Sequence, residues 1–313
     1  MITQAFVLGA GLGTRLRPLT EDLPKPLIPI FQKPLLTFAL DHLIAVGVRS
    51  FVINTHHRPE PFRELFANGD YRGCSVKLVH EPEILGTGGG IKNVESLLRD
   101  GPFISYSGDI LTDIDLGGLL EQHSRAGNDV TLAVRDTGFG KDVALEGNRV
   151  VDITSRYGHP GRYDFAGIAV WTPKILERIP PGKHVSYIPI LADWIGQGGR
   201  IGAVILNERE WFNIGSRKEY LAVHECLERE EWRPAYVESA GWPVRIAPDA
   251  EIDPSAQLSG FYSIGAGCKV GPGAAIENTI IWPGAQIASR ARLRNCIVRS
   301  HHQADGVFSD TDI

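Results

Sequence analysis

A six-residue spacing of bulky aliphatic side chains near the C-terminus restricts the fold of this 313-residue chain more than any other pattern in it. Five residues follow one another at this interval, namely Ile252, Leu258, Ile264, Val270 and Ile276. After one five-residue step to Ile281 the interval returns, and Gly, Pro and Ala fill much of the sequence between. A hexapeptide period is typical of a β-helix, in which the aliphatic residue points inward and small residues form the corners. We therefore predict a small C-terminal left-handed β-helix over residues 240–300, with a loop or a bulged coil near Asn278 and a poorly ordered tail over residues 301–313.

The chain before the repeats alternates between short apolar runs and segments with helical spacing. Residues 5–8, 50–54 and 102–106 read as buried strands, whereas residues 35–46 and 90–99 read as helices. Such alternation predicts an α/β domain over residues 1–235, built on a mixed, mainly parallel sheet.

Charge and hydropathy narrow the classes of partner. The net charge is −5 and no long basic run occurs, so we expect no nucleic-acid partner. Every apolar stretch is shorter than the roughly 18 residues that span a bilayer, and the N-terminus lacks a signal-peptide pattern. The four cysteines are scattered without a CxxC pair, which favours reduced thiols and a cytoplasmic protein without a membrane partner.

The segment LGAGLGTRLRPLTEDLPKPL, residues 8–27, contains the first candidates for chemistry. Its glycines follow a strand, and glycines let backbone amides approach phosphate oxygens closely. Arg15 would offer phosphate a fixed fork of donors, and Lys25 a point charge. The residues alone leave a tight turn with surface cations as an alternative. A P-loop is excluded because GK[ST] is missing, and NAD binding is disfavoured because the spacing departs from GxGxxG.

LGAGLGTRLRPLT followed by PKPL resembles the signature of the sugar-1-phosphate nucleotidyltransferases, and the similarity extends over residues 4–221. The repeats resemble those of the GDP-mannose pyrophosphorylases within that family. The resemblance implies a Rossmann-like nucleotidyltransferase domain that joins a nucleoside triphosphate and a sugar 1-phosphate into an NDP-sugar and pyrophosphate. It implies that Arg15 steadies the transferred phosphoryl group and that Lys25 contacts the phosphates. The implied nucleotide loop consists of Leu8, Gly9, Ala10, Gly11, Gly13 and Thr14.

A second glycine run lies in EPEILGTGGGIK, residues 81–92, and fits only a close backbone approach or a very tight turn. By resemblance this stretch holds the nucleobase through Glu81, Gly86 and Thr87. A carboxylate can accept from guanine N1–H and the exocyclic amine together, whereas uracil suits a Gln amide better, so GTP is favoured. TGGGI also resembles the N-acetylmuramate-1-phosphate uridylyltransferases, which keeps UTP and an amino-sugar 1-phosphate as an alternative.

A magnesium site is predicted from two polar segments. Asp109 in SGDILTDID follows a strand, and a carboxylate at the carboxyl end of a parallel strand lies at the ligand-binding edge. Its hard oxygens suit Mg²⁺, although a turn aspartate is the alternative. By resemblance GD binds Mg²⁺, and the second ligand is the aspartate of W-x-D-x-G. This chain has WFNIG, so Asn213 stands there without charge. That departure motivates a further alternative, a weakly active nucleotide-binding regulatory subunit.

The sugar side carries weaker signals. Gly140 in GFGK and Gly167 in DFAGI match family positions that face the sugar. The Glu-Lys pair that family members often have is missing here, and Arg156 is the candidate replacement. Mannose, a heptose and an N-acetylated sugar all remain possible as the sugar.

β-Helices often host acyltransferases, which need a histidine base along a coil. That function is disfavoured here because the repeats contain no histidine between His224 and His301. A short β-helix usually packs against something, so we expect a homo-oligomer.

Overall fold

The computed structural model describes residues 2–98, 101–138, 140–238 and 241–313. Its backbone contacts separate two compact units, Met1–Gly11 with Ala39–Trp211, and Leu12–Phe38 with Phe212–Ile313. The predicted domain boundary after residue 235 differs from this division, because residues 12–38 and the last helix before the repeats group with the β-helix. Ala240, where the repeat domain is predicted to begin, lies outside the described residues.

The strands and helices are numbered here in chain order. Strands β1 to β23 span Gln4–Leu8, Pro29–Ile30, Lys33–Pro34, Ser50–Thr55, Asp70–Tyr71, Cys74–His80, Phe103–Ser107, Ile110–Thr112, Val130–Arg135, Val143–Glu146, Arg149–Ile153, Asp164–Trp171, Ile201–Ile205, Trp211–Asn213, Glu251–Ile252, Gln257–Ile264, Lys269–Val270, Ala275–Ile281, Gln286–Ile287, Arg292–Arg294, Ile297–Val298, Gln303–Ala304 and Val307–Ser309. Helices α1 to α7 span Leu19–Asp22, Leu35–Ala45, Glu60–Leu65, Gly86–Asn93, Leu116–Ala126, Tyr187–Gly196 and Arg217–Glu228. Short 3-10 helices span Thr14–Leu16, Lys25–Leu27, Glu95–Leu97 and Pro173–Arg178.

The first unit is built on a ten-stranded mixed sheet in the order β10-β11-β13-β9-β12-β7-β1-β4-β6-β5. Strands β7, β1, β4 and β6 run parallel to one another, whereas β12 is antiparallel to both of its neighbours. Ala5, Phe6 and Val7 of β1 are fully buried, as expected for a parallel strand covered on both faces. The predicted α/β domain with a mixed sheet is confirmed, and the carboxyl ends of β1, β4 and β7 share one edge.

The repeats of the second unit form a β-helix of parallel strands, with β15-β17-β19-β22 on one face and β16-β18-β20-β23 on another. Register pairs align Ile252 with Val270 and Val270 with Ile287, so one coil takes 17 or 18 residues, or about three hexapeptides. Val270 and Ile276 are buried in its interior. Of the two predicted alternatives near Asn278, the structure has the bulge. Asn278 has φ +48°, and beside it β16 has one residue more than β18 between Ser259 and Tyr262.

Residues 301–313 form a further coil, so the predicted poorly ordered tail is wrong. Strands β22 and β23 pair in parallel with β19 and β20. Ala304 is fully buried and Phe308 packs against the interior, in register with Leu293. A search for regularly spaced Ile, Leu and Val misses this coil because an alanine and an aromatic residue occupy the inward positions at a shortened interval.

Within the described ranges, none of the helices combines the length and hydrophobicity that crossing a bilayer requires.

Candidate functional site

The loop after β1 is fixed by Asn54, the residue that pairs with Leu8 in the parallel register of β1 and β4. Asn54 Oδ1 accepts hydrogen bonds from Gly9 N at 2.8 Å and Ala10 N at 3.3 Å. A Cβ on Gly9 would lie 2.6 Å from Asn54 O, so only glycine fits there. At Gly11, by contrast, no described atom lies within 4 Å of the Cβ position. The loop is therefore packed tightly at its first glycine and open at its second.

Glu81 holds Asn54 in turn. One carboxylate oxygen accepts from Asn54 Nδ2 at 2.7 Å, and the other accepts from Leu85 N at 3.0 Å. The side chain is fully buried. Because both oxygens are bonded within the protein, the structure gives Glu81 a supporting position rather than the base-reading one predicted from the sequence. Asn54 is the residue that sequence reasoning missed, and its signal was a polar side chain closing a buried strand.

The glycine run of residues 86–90 forms the first turns of α4, under the chain segment of residues 183–187. Gly88 N and Gly89 N donate to Val185 O at 2.8 and 3.1 Å, and Val185 N donates to Leu85 O at 2.9 Å. A Cβ on Gly86, whose φ is +70°, would lie 2.9 Å from Val185 O. The predicted close approach is present, but the approaching backbone is the protein's own. Thr87 joins the same contact, since its hydroxyl accepts from Tyr187 N at 3.3 Å.

Asp109 lies half-buried in the turn between β7 and β8, beside the end of β1. Gly108 N donates to Leu8 O at 2.9 Å, which places this turn against the glycine loop. Burial and, to a smaller extent, the charge of Asp109 raise the pKa of Tyr187 at the start of α6. Gly167 has φ +78° at a bulge of β12, and a Cβ there would lie 3.1 Å from Ser107 Oγ. The first unit thus gathers Leu8, Asp109 and Gly167 at one edge of its sheet.

In the second unit, Gly13 and Thr14 begin a turn that carries Arg15. Gly13 has φ +59°, and Thr20 Oγ1 donates to its carbonyl oxygen at 2.9 Å. A Cβ on Gly215 would lie 3.1 Å from Arg15 Nη2, so the glycine of WFNIG makes room for this guanidinium. Arg15 therefore lies against the start of α7.

Lys25 and Asn213 also belong to the second unit. Lys25 is half-buried and opens the 3-10 helix Lys25–Leu27. Asn213 Oδ1 is buried and has no hydrogen-bond partner among the described residues. An unpaired buried acceptor is costly, so this oxygen suits a cation or a water of its shell.

The donor chemistry of Asp109 and Asn213 fits Mg²⁺, which prefers carboxylate and amide oxygens and keeps several waters. Within the described ranges, no group of three or more His, Cys, Asp or Glu side chains could hold a metal ion. A magnesium ion bound by either residue would therefore draw most of its ligands from water and from substrate phosphates.

The predicted sugar-binding residues are held by neighbouring side chains. The carboxylate of Asp164 crosses over Gly140, and its Oδ1 accepts from Lys141 N at 2.8 Å. Arg156 forms an ion pair with Asp193 of α6, and Tyr157 OH donates to Ala192 O at 2.9 Å. The loop with Arg156 is thus packed on α6, which explains the arginine without a ligand.

The matching family model and three similar proteins are all nucleotidyltransferases by their names. Residues 4–230 match the family model for nucleotidyl transferases. The mannose-1-phosphate guanylyltransferase of Mycobacterium tuberculosis is 31% identical, over 90% of this chain and 80% of the relative. The UTP–glucose-1-phosphate uridylyltransferase of a Synechocystis species is 25% identical, over 99% of this chain and 90% of the relative. The inositol-1-phosphate CTP transferase of T. maritima shares the fold, with a TM-score of 0.60 and 22% identity over 70% of this chain and 91% of its own.

Proposed function

This chain belongs to the nucleotidyl transferase family, and we propose that it joins a nucleoside triphosphate and a sugar 1-phosphate to give an NDP-sugar and pyrophosphate. GTP is the favoured nucleotide, and mannose 1-phosphate or a similar sugar is the favoured acceptor. The observation that carries the proposal is the Leu8–Gly11 loop. It is pinned by Asn54 at the carboxyl end of a buried parallel strand and leaves the Cβ side of Gly11 open.

The proposed reaction is an in-line displacement at the α-phosphorus. A phosphate oxygen of the sugar 1-phosphate forms the new P–O bond, the bond to the bridging oxygen of the β-phosphate breaks, and pyrophosphate leaves. The protein supplies no covalent nucleophile, so its work is to position two polyanions and to balance developing charge. Arg15 and Lys25 are the proposed cations, with the amides of residues 9–14 around the phosphates.

Magnesium is part of the proposal, and Asp109 and Asn213 are each proposed to offer it an oxygen ligand. When bound, it would neutralise charge on the triphosphate. Asp109 would contribute a charged carboxylate oxygen to the metal ion, and the uncharged Asn213 would contribute only an amide oxygen.

The preference for GTP does not rest on Glu81, because both of its carboxylate oxygens are bonded to Asn54 and Leu85. It is supported by the likeness to a relative named as a guanylyltransferase. A UTP-dependent uridylyltransferase is the alternative, supported by the likeness to the Synechocystis relative.

The test is pyrophosphate release with Mg²⁺ across GTP, UTP and ATP, each combined with mannose, glucose and N-acetylated amino-sugar 1-phosphates. Turnover is expected with GTP and mannose 1-phosphate. A UTP-specific result would select the alternative. Silence with every pair despite nucleotide binding would favour a regulatory subunit, which the uncharged Asn213 motivates.

Within an active pair, Arg15→Ala tests the mechanism. Its turnover should fall about 10²–10³-fold, as when one stabilising donor is lost. Thermal unfolding should stay near that of the wild type, because Arg15 is exposed. Near-normal turnover would remove Arg15 from the reaction.

Self-association belongs to the same proposal. We propose a homo-oligomer because a short β-helix has exposed ends that usually pack against another surface.

A further inference from the structure

Arg299 of the β-helix reaches the segment that carries Arg15 and Lys25. Its Nη1 donates to Asp22 Oδ2 at 2.8 Å and to Pro18 O at 3.4 Å, and Glu21 Oε2 lies 3.6 Å away. Only 16% of the Arg299 side chain is exposed. The guanidinium therefore binds both the start and the end of α1.

Arg299 is itself fixed by the β-helix. Its backbone N donates to Ile313 O at 2.8 Å, and its Nε points to the same oxygen at 3.4 Å. An arginine held at its backbone N and its Nε loses little further conformational entropy when its Nη atoms bind a carboxylate. The ion pair therefore has a defined geometry, unlike a mobile pair on the surface.

The later part of the same segment is tied to the C-terminal part of the second unit as well. Tyr220 OH donates to Pro29 O at 2.6 Å and accepts from Trp282 Nε1 at 3.0 Å. Gln32 Nε2 donates to Ser263 Oγ at 2.9 Å and to Ile264 O at 3.0 Å. Tyr220 of α7 thus fixes the chain beyond Lys25 at Pro29, and the β-helix fixes it at Gln32. Arg299 fixes it before Lys25.

We infer that Arg299 is a positioning residue for nucleotidyl transfer, acting through α1 on Arg15 and Lys25. The inference rests on the proposed function, which assigns those two cations to the phosphates. A helix of four residues is unstable by itself, because so short a segment cannot offset the cost of nucleation. Its geometry must therefore come from outside contacts, and Arg299 supplies three of them.

The consequence for catalysis follows from distance. Arg15 lies four positions before the first residue of α1, and Lys25 three positions after its last. A shift of α1 would displace both cations, and a misplacement of about 1 Å can cost on the order of 10²-fold in rate.

The test compares Arg299→Met with Arg294→Met, using whichever nucleotide and sugar 1-phosphate the pyrophosphate-release assay shows to react with the wild type. Arg294 lies on the same β-helix, is 65% exposed and faces Glu277 at 3.8 Å, so its removal serves as the matched control. Arg299→Met should lower kcat about 10–100-fold, whereas Arg294→Met should change it less than about twofold. Asp22→Asn weakens the shortest of the three contacts and should lower kcat in the same direction. Adding it to Arg299→Met should lower kcat little further, because the Arg299–Asp22 contact is already lost in Arg299→Met.

Amide hydrogen exchange separates positioning from folding. In Arg299→Met, exchange should rise over residues 14–27 while residues 257–294 keep wild-type protection. Arg299→Lys, which keeps the charge, should recover part of kcat. If Arg299→Met proves unstable, Asp22→Asn carries the test from the other side of the contact.

The outcomes separate the inference from the function. A wild type that is active and an Arg299→Met variant equally active overturn the inference alone. Loss of protection across the whole β-helix, in step with the loss of kcat, also overturns it in favour of a purely structural role. A wild type silent with every substrate pair overturns the proposed function, and the inference falls with it.

Discussion

Residues 8–11 and residues 12–38 are neighbours in the chain, but different parts of the protein hold them. The glycine loop of residues 8–11 is held by Asn54, only 45 positions along the chain from Gly9, within the alternating strands and helices of the first unit. The segment of residues 12–38 is held by Tyr220, Trp242 and Arg299, which are 191 to 281 positions away from their partners. The proposed phosphate amides and the proposed cations therefore have separate supports, and each can be weakened without touching the other.

The largest effect is expected from the support of the glycine loop. Asn54→Leu leaves Gly9 N, Ala10 N and one oxygen of the buried Glu81 without their partner. Each unsatisfied buried group costs about 1–3 kcal/mol, so the free energy of unfolding should fall by about 4 kcal/mol. Urea denaturation measures it, with the exposed Asn68→Leu as a control that should stay within about 0.5 kcal/mol. A loss below about 1 kcal/mol for Asn54→Leu would mean that the loop is held by other contacts.

The next effect concerns how the free energy of unfolding depends on pH through His224, which contacts the segment of residues 12–38 at Phe31. His224 Nδ1 donates to Tyr220 O at 2.9 Å, so its Nε2 is the acceptor that faces Phe31 N at 3.4 Å. Burial lowers the pKa of His224 from 6.5 to about 4, so the folded protein keeps it neutral where the unfolded chain takes up a proton. Stability is therefore complete above about pH 6.5 and is lost as the pH falls from there towards 4.

His224→Gln should flatten this loss by about 2 kcal/mol between pH 6.5 and 4.5, a little less than one full proton over two pH units, because the unfolded histidine is only half protonated at pH 6.5. His42→Gln should do the same in the first unit, since burial also lowers the pKa of His42 to about 4. Unfolding curves at both pH values measure the two slopes. An unchanged slope in His224→Gln would show that this histidine is charged in the folded state.

The smallest effect is expected at the predicted sugar side. Arg156 and Asp193 are 45% and 50% exposed, and a pair so exposed contributes about 0.5 kcal/mol. Arg156→Met should therefore leave kcat/KM for the sugar 1-phosphate within about twofold of wild type. A tenfold rise in KM for the sugar 1-phosphate alone would restore Arg156 as a sugar-phosphate ligand.

The sequence predicted correctly those parts of the fold whose side-chain pattern repeats at short intervals along the chain. The inward positions of Ile264, Val270 and Ile276 followed from a six-residue period, and an irregularity near Asn278 followed from the single interruption of that period. The strand alternation of the first unit followed in the same way. Each of these depends on residues a few positions apart, so the chain displays them directly.

Contacts between distant segments left no such pattern. The glycine run at residues 86–90 predicted a close approach, yet nothing in the sequence identifies Val185 as what approaches. Glu81 could be matched to a family position, but its role depends on Asn54, and that pairing exists only once β4 and β6 lie side by side. The contact between Arg299 and α1 could not be predicted for the same reason. It joins segments 277 and 281 positions apart, and the sequence around Arg299 is polar and lacks the regular aliphatic spacing.

The crossing of residues 183–187 over α4 also bears on how the motif is inherited. Gly86, Gly88 and Gly89 make room for the protein's own chain, so a descendant that had lost the reaction would still need them to fold. In this protein the GTGGG run therefore reports a chain crossing, whatever the protein binds. A side chain introduced at any of these glycines would push α4 and residues 183–187 apart and lower the stability of the fold. That loss of stability would not depend on whether the protein is active.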